Sequence, residues 1–180
     1  LDVSKKKQVP QNTIGATQMS NVGLDIAMKK AGIYVVRTDV GDKNVVESMR
    51  QNGYSLGGEQ SGHIIHLEYS TTGDGCVAAL NVLAVMKSEG KRLSDLKDTM
   101  EDVPQVLINT RVNKRVDLAS LKGYQKMIDA AEARLKGDGR LFVRFSGTEP
   151  VIRVLVEGRD RLEIGKMAEE IAKFLQTELA

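Results

Sequence analysis

The feature that most constrains the fold is a change of pattern near Asp102-Val103-Pro104. Before it, short β-branched or apolar stretches alternate with helical stretches, and glycines stand at the joins. That alternation predicts an α/β layer with a largely parallel sheet. After it come a strand, a helix, two strands joined by a short loop, and a final helix, which is an α+β order. The chain therefore divides into two domains, 1–103 and 104–180, each with its own core.

The first domain has predicted strands at 13–17, 33–36, 54–56 and 64–67. Ser20 or Asn21 caps a helix that runs to Lys30, with Val22, Ile26 and Ala27 on one face and Gly32 at its end. Further helices fit 43–51 and 74–88. The second domain has predicted strands at 106–112, 140–145 and 151–156, the last two forming a hairpin. Helices fit 118–135 and 162–179, with a tight turn at Gly137-Asp138-Gly139 between the first of them and the hairpin. Met167, Ile171, Phe174 and Leu175 share one face of the last helix.

Composition narrows the function classes. Lysine and arginine total 26 against 24 acidic residues, a net charge of +2, which argues against nonspecific nucleic-acid binding. Aromatics are 4% with no tryptophan, so a base-stacking platform is not expected. One cysteine cannot form an internal disulfide. No apolar run approaches the ~20 residues that span a bilayer. The Leu1–Lys7 segment lacks the apolar stretch of a signal peptide, and its three lysines read as a solvated turn. These features fit a cytoplasmic protein.

Three loops combine small residues with chemistry. Gly57-Gly58-Glu59-Gln60-Ser61-Gly62-His63 gathers a carboxylate, an amide, a hydroxyl and an imidazole. Such a set suits a polyol, because a carboxylate accepts from adjacent hydroxyls and a serine donates or accepts. The competing reading is a glycine-rich turn whose polar groups serve only its own backbone. Arg144-Phe145-Ser146-Gly147-Thr148-Glu149-Pro150, with Arg153 beyond it, suits a phosphate. Backbone amides and hydroxyls would surround the anion, and a guanidinium would bind it bidentately. The competing reading is an ordinary hairpin loop with a surface arginine. Thr71-Thr72-Gly73-Asp74-Gly75 reads as a helix cap, with Asp74 a weaker candidate metal ligand. His63 and His66 do not form a metal pair, since a three-residue step along a strand changes face. His66 reads as a structural polar residue, Cys76 as a small core residue, and the methionines as core filler.

Taken together, these segments resemble the α-D-phosphohexomutases. Gly58–His63 looks like the sugar-binding loop of that family, and Arg144–Pro150 like its phosphate-binding loop. Met19-Ser20-Asn21, Arg37-Thr38-Asp39-Val40-Gly41-Asp42 and Thr72-Gly73-Asp74-Gly75 match in family order. Gln60 and the Val40-Gly41-Asp42 turn are closest to the members that act on hexosamine phosphates. The resemblance implies the third domain of a four-domain enzyme, a mixed αβα layer incomplete at its N-terminus. A small fourth domain follows, with a TATA-box-binding-protein-like antiparallel sheet and two helices. The family's phosphorylated serine and aspartate-rich Mg²⁺ site belong to its first two domains, and neither motif occurs in this sequence. The resemblance therefore implies no catalytic nucleophile and no metal ligand here, and a fragment inactive alone.

Several roles are implied in the same way. Glu59, Ser61 and His63 bind sugar, with His63 a sugar contact or a proton-transfer group. Arg144, Ser146, Gly147 and Thr148 hold the nonreacting phosphate, helped by Arg153. Asp42 is a cleft residue, and a hinge lies near 102–105. The substrate is a hexosamine phosphate, with glucosamine 1,6-bisphosphate as the intermediate and Mg²⁺ as the cofactor. No nucleic acid or membrane partner is implied, and a homodimer stays open. The alternatives are a relative that acts on mannose or glucose phosphates, and a noncatalytic phosphosugar-binding module.

Overall fold

The computed structural model describes residues 9–135 and 139–180. The Lys5-Lys6-Lys7 turn and the Gly137-Asp138 part of the predicted tight turn lie outside the described residues. Contacts divide the chain into two compact units, Leu1–Asp102 and Val103–Ala180.

The first unit contains β1 (Thr13–Thr17), α1 (Val22–Lys30), β2 (Tyr34–Thr38), α2 (Asp42–Asn52), β3 (Leu56–Gly58), β4 (Ile64–His66), α3 (Gly75–Glu89) and a short α4 (Leu93–Leu96). The strand order is β2-β1-β3-β4. β1 runs parallel to both β2 and β3, with Thr17 opposite Thr38 and Ala16 opposite Gly58. β4 is antiparallel to β3, so the sheet is mixed, with two of its three strand pairings parallel. The reason is the short connection between them. Glu59 N–H donates to the His63 carbonyl (3.0 Å) and Gly62 N–H to the Glu59 carbonyl (3.1 Å), which turns the chain back on itself.

β1 is buried at every residue, as the central strand must be. Two of the sheet's glycines set how closely α2 approaches. A Cβ on Gly57 would lie 2.5 Å from Met49 Sδ and 2.8 Å from Val45 Cγ1, and one on Gly15 would lie 3.3 Å from Val45 Cγ1. Val45 and Met49 are fully buried in that contact. Asn21 caps α1, its Oδ1 accepting from Gly23 N–H at 2.8 Å. Asp74 caps α3, accepting from the amides of Cys76 (2.9 Å) and Val77 (3.0 Å). The helix-cap reading of Asp74 therefore describes its observed bonding.

Two expectations fail in and after this unit. Cys76 is exposed in the first turn of α3 and not a core residue. None of the residues of α3 is buried, although the helix is apolar, and Leu80 and Leu83 are 66% and 57% exposed. The 118–135 helix is also interrupted. Leu118–Ser120 forms a single 3₁₀ turn, Gly123 takes φ +91°, and α5 spans Tyr124–Leu135. A left-handed residue cannot continue a right-handed helix.

The second unit is β5 (Gln105–Arg111), α5, β6 (Arg140–Phe145), β7 (Val151–Glu157) and α6 (Arg161–Glu178). Its antiparallel sheet has the order β5-β7-β6, and β6–β7 is the predicted hairpin. α6 lays Ile164, Met167, Ala168, Ile171 and Leu175 against Ile152, Val154 and Val156 of the central strand. Phe174 is only partly buried beside that cluster. Asp160 caps α6 through the amides of Leu162 (2.9 Å) and Glu163 (3.1 Å). Among the described residues no helix is long and apolar enough to cross a membrane.

Candidate functional site

In the first unit the parallel strands deliver their loops to one edge. β2 and β3 flank β1 and run with it, so the turn leading to Asp42 and the loop beginning at Glu59 leave the same carboxyl edge of the sheet. In open α/β sheets this edge is where ligands bind. Arg37 stiffens it, pairing with Asp25 and donating to the carbonyls of Thr17 (2.8 Å) and Ser20 (2.6 Å). Asp42 starts α2 and its Oδ1 accepts from Lys43 N–H (2.8 Å).

Glu59, Ser61 and His63 form one hydrogen-bonded cluster. Ser61 Oγ donates to Glu59 Oε1 at 2.7 Å, and His63 Nδ1 lies 2.8 Å from the same oxygen and 3.0 Å from Ser61 Oγ. Both contacts on the carboxylate converge on Oε1. With Nδ1 held there, the Nε2 edge of the imidazole is the one left to meet a ligand. The Glu59 side chain is 10% exposed and that of His63 53%, so a sheltered carboxylate supports an accessible ring. Gly62 takes φ +101°, which a side chain would strain. A Cβ on Gly73 would sit 3.2 Å from His63 Cβ, so the 71–75 loop backs the imidazole as well as capping α3. That second task of Gly73 was not visible in the sequence.

His66 is half-buried on β4, with its ring 6.4 Å from that of Tyr69. Burial lowers its pKa below the ordinary imidazole value, while the Glu68 carboxylate pulls the other way.

In the second unit one face of the β6–β7 hairpin carries two cross-strand pairs of opposite character. Arg140 faces Glu157, and Arg144 faces Arg153. Glu157 is fully buried, and its Oε2 accepts from Arg140 Nε (2.8 Å) and Nη2 (2.7 Å). At the other end, next to the Ser146–Pro150 loop, two guanidiniums are held in register. Arg153 Nη2 reaches Glu149 Oε2 at 3.0 Å, yet its Nε is buried with no hydrogen-bond partner. Arg144 Nη1 donates to the Phe145 carbonyl at 3.3 Å. Like charges facing each other across a hairpin oppose folding, so this end suits an anion that the other end does not need.

The loop itself is pinned. Ser146 is buried, its N–H donates to the Val151 carbonyl (2.8 Å), and its Oγ accepts from Glu149 N–H (3.3 Å). Gly147 and Thr148 are exposed. Gly147 lies outside the left-handed region, and a Cβ there would meet nothing within 4 Å. Neither packing nor backbone strain requires this glycine. Arg115 was missed in the sequence. Its Nη2 donates to the Ser146 carbonyl and, at 3.0 Å, to the Glu149 carbonyl. Its guanidinium also lies over the Phe145 ring, 5.8 Å from the centroid.

Among the described residues no group of three His, Cys, Asp or Glu side chains is arranged to hold a metal ion. The resemblance places the family's magnesium in another domain, and the described residues offer it no ligand set.

The chain thus carries a polyol-suited loop on an α/β unit and an anion-suited loop on an α+β unit. Residues 1–103 match the family model "Phosphoglucomutase/phosphomannomutase, alpha/beta/alpha domain III", and residues 107–174 match its C-terminal domain. The chain belongs to the phosphoglucomutase/phosphomannomutase family. It is 59% identical over 180 residues to the phosphoglucosamine mutase of Bdellovibrio bacteriovorus, covering all of this chain and 39% of that protein. It is 50% identical over 175 residues to that of Geotalea uraniireducens, covering 97% and 38%. The chain thus spans about two-fifths of the length of the curated relatives it matches. Among solved structures, Aspergillus fumigatus N-acetylphosphoglucosamine mutase aligns with a TM-score of 0.79 at 22% identity, over 98% of this chain and 40% of that one. The same enzyme in complex with GlcNAc-6P and magnesium aligns at 0.74 and 22%, over 93% and 39%. At that identity the likeness shows the fold.

Proposed function

We propose that this chain is the substrate-holding part of a phosphoglucosamine mutase, which interconverts glucosamine 6-phosphate and glucosamine 1-phosphate. The observation that carries the reading is the Arg144–Arg153 pair set beside the Ser146–Pro150 loop. Three guanidiniums, of Arg115, Arg144 and Arg153, and one carboxylate, of Glu149, surround or clasp that loop. Their excess positive charge is about two, which matches a phosphate monoester near neutral pH. Ser146, Gly147 and Thr148 add hydroxyl and amide donors. The names of the relatives point to an aminosugar rather than a neutral hexose.

In this reading Glu59 and Ser61 bind sugar hydroxyls, and His63 contacts the sugar or moves a proton through Nε2. Asp42 lines the cleft. The hairpin loop holds the phosphate that does not react. A phosphoserine elsewhere in the longer protein would give its phosphoryl group to the sugar and take back the other one from glucosamine 1,6-bisphosphate after that intermediate turns over, and Mg²⁺ bound there would offset the charge. Phosphoryl transfer depends chiefly on positioning and charge stabilisation, so a clamp that fixes the distal phosphate is a direct contribution to rate. The family's sugar-binding and phosphate-binding loops, the cytoplasmic location and the domain limits 1–103 and 104–180 belong to the same proposal. The test is a comparison of kcat/KM for the full-length protein on glucosamine, glucose and mannose 6-phosphates. A preference for glucosamine 6-phosphate supports it, and a preference for a neutral hexose phosphate favours the phosphoglucomutase or phosphomannomutase reading.

A further inference from the structure

We propose that Arg115 is a positioning residue that aims the Gly147 N–H at the bound phosphate. The inference rests on the phosphate-clamp reading of the hairpin loop and adds to it a residue that lies 31 positions before Ser146.

The argument starts from where Arg115 is anchored. It follows β5, and the backbone around it is tied on two sides. Val112 N–H donates to the Pro150 carbonyl at 3.0 Å, at the far end of the loop. The amides of Asn113 (2.9 Å) and Lys114 (3.2 Å) both donate to the carbonyl of Leu179, a fully buried residue at the end of α6. Arg115 therefore projects from a fixed base, although its side chain lies at the surface. Stacking on Phe145 restricts the guanidinium further.

From that base a single nitrogen, Nη2, donates to the Ser146 and Glu149 carbonyls. These carbonyls bracket Gly147 and Thr148. In a trans peptide the C=O of one residue and the N–H of the next point in opposite directions, and no peptide bond described here is cis. Turning the Ser146 carbonyl toward Arg115 therefore turns the Gly147 N–H away from it. The Glu149 carbonyl precedes Pro150, which has no N–H, so Arg115 restrains this peptide without hiding a donor. Gly147 is exposed, and it carries no side chain that could cover its own amide. A preoriented donor loses less freedom when the ligand arrives, and that advantage appears in affinity.

The test is steady-state kinetics of the full-length protein with glucosamine 6-phosphate, comparing wild type, Arg115→Ala, Arg115→Lys and Arg144→Ala, together with thermal melts. Arg115→Ala is expected to raise KM about tenfold with kcat within about threefold, beyond any lowering of the melting temperature, since misplacing a donor weakens binding without removing the reacting groups. Arg115→Lys, whose ammonium still donates to carbonyls, recovers most of that loss. If Arg144→Ala raises KM and Arg115→Ala does not, or if Arg115→Ala lowers only the melting temperature, the positioning role is overturned. If Arg144→Ala itself leaves KM unchanged, the clamp reading fails instead.

Discussion

Replacing Arg144 with methionine separates a binding residue from a structural one. Methionine keeps the unbranched aliphatic stem and removes the charge. In the free protein Arg144 faces Arg153 across the hairpin, and relieving a like-charge cross-strand pair gains about 0.2–1 kcal/mol. The loss of its 3.3 Å bond to the Phe145 carbonyl costs about 0.5–1.5 kcal/mol. The two effects oppose each other, so together they are expected to change stability by less than about 1.5 kcal/mol. Binding has no such compensation. Losing a charged hydrogen bond to phosphate costs about 1.5–3 kcal/mol, roughly a 10- to 150-fold weakening. The assay pairs melts with and without glucosamine 6-phosphate with a KM measurement on the full-length protein. Substrate at about 100 times its dissociation constant stabilises the wild type by about 2.7 kcal/mol, and roughly half to nine-tenths of that gain should vanish in Arg144→Met. A variant that melts early yet keeps its KM would refute the reasoning and make Arg144 a structural residue.

Three further outcomes follow from the packing and the charges. Gly57→Ala drives a Cβ into Met49 and Val45 and should lower stability by about 1–3 kcal/mol in denaturant melts; an unchanged midpoint would mean that α2 shifts freely. His66 has a lowered folded-state pKa, so between that value and the unfolded one, about 6.5, the unfolded chain binds more protons. Its contribution is complete above the unfolded pKa and is lost as pH falls through the folded pKa. Melts at stepped pH should show a slope there that His66→Gln reduces, and an equal slope in the variant would place the effect elsewhere. Leu80→Glu with Leu83→Glu, on the uncovered apolar helix α3, should reduce self-association of the 180-residue chain in light scattering; unchanged association would clear this face.

What could be read from the sequence was local. Glu59, Ser61 and His63 lie within five residues, so their cluster was visible as a composition before any fold was known. The helix caps Asn21 and Asp74 bond to amides two or three residues away, and the hairpin around Ser146–Pro150 is equally short-ranged. What could not be read depends on distant chain segments. Arg115 meets its loop only because β5 and β6 flank β7 in one sheet. The direction of β4 depended on how the Glu59–His63 loop closed. Cys76 was expected inside because α3 is apolar, but apolarity alone does not say which surface covers a helix. The Gly123 break was hidden for a different reason, because a lone glycine in a helical pattern is often tolerated.

Phosphorus NMR of glucosamine 6-phosphate, incubated in parallel with the full-length protein and with this 180-residue chain, tests most directly whether these loops bind while the phosphoryl donor lies elsewhere. With the full-length protein the 6-phosphate signal should give way to that of glucosamine 1-phosphate. With the chain alone it should shift or broaden through binding and never convert. Conversion by the chain alone, or none by the full-length protein, would contradict that division of labour.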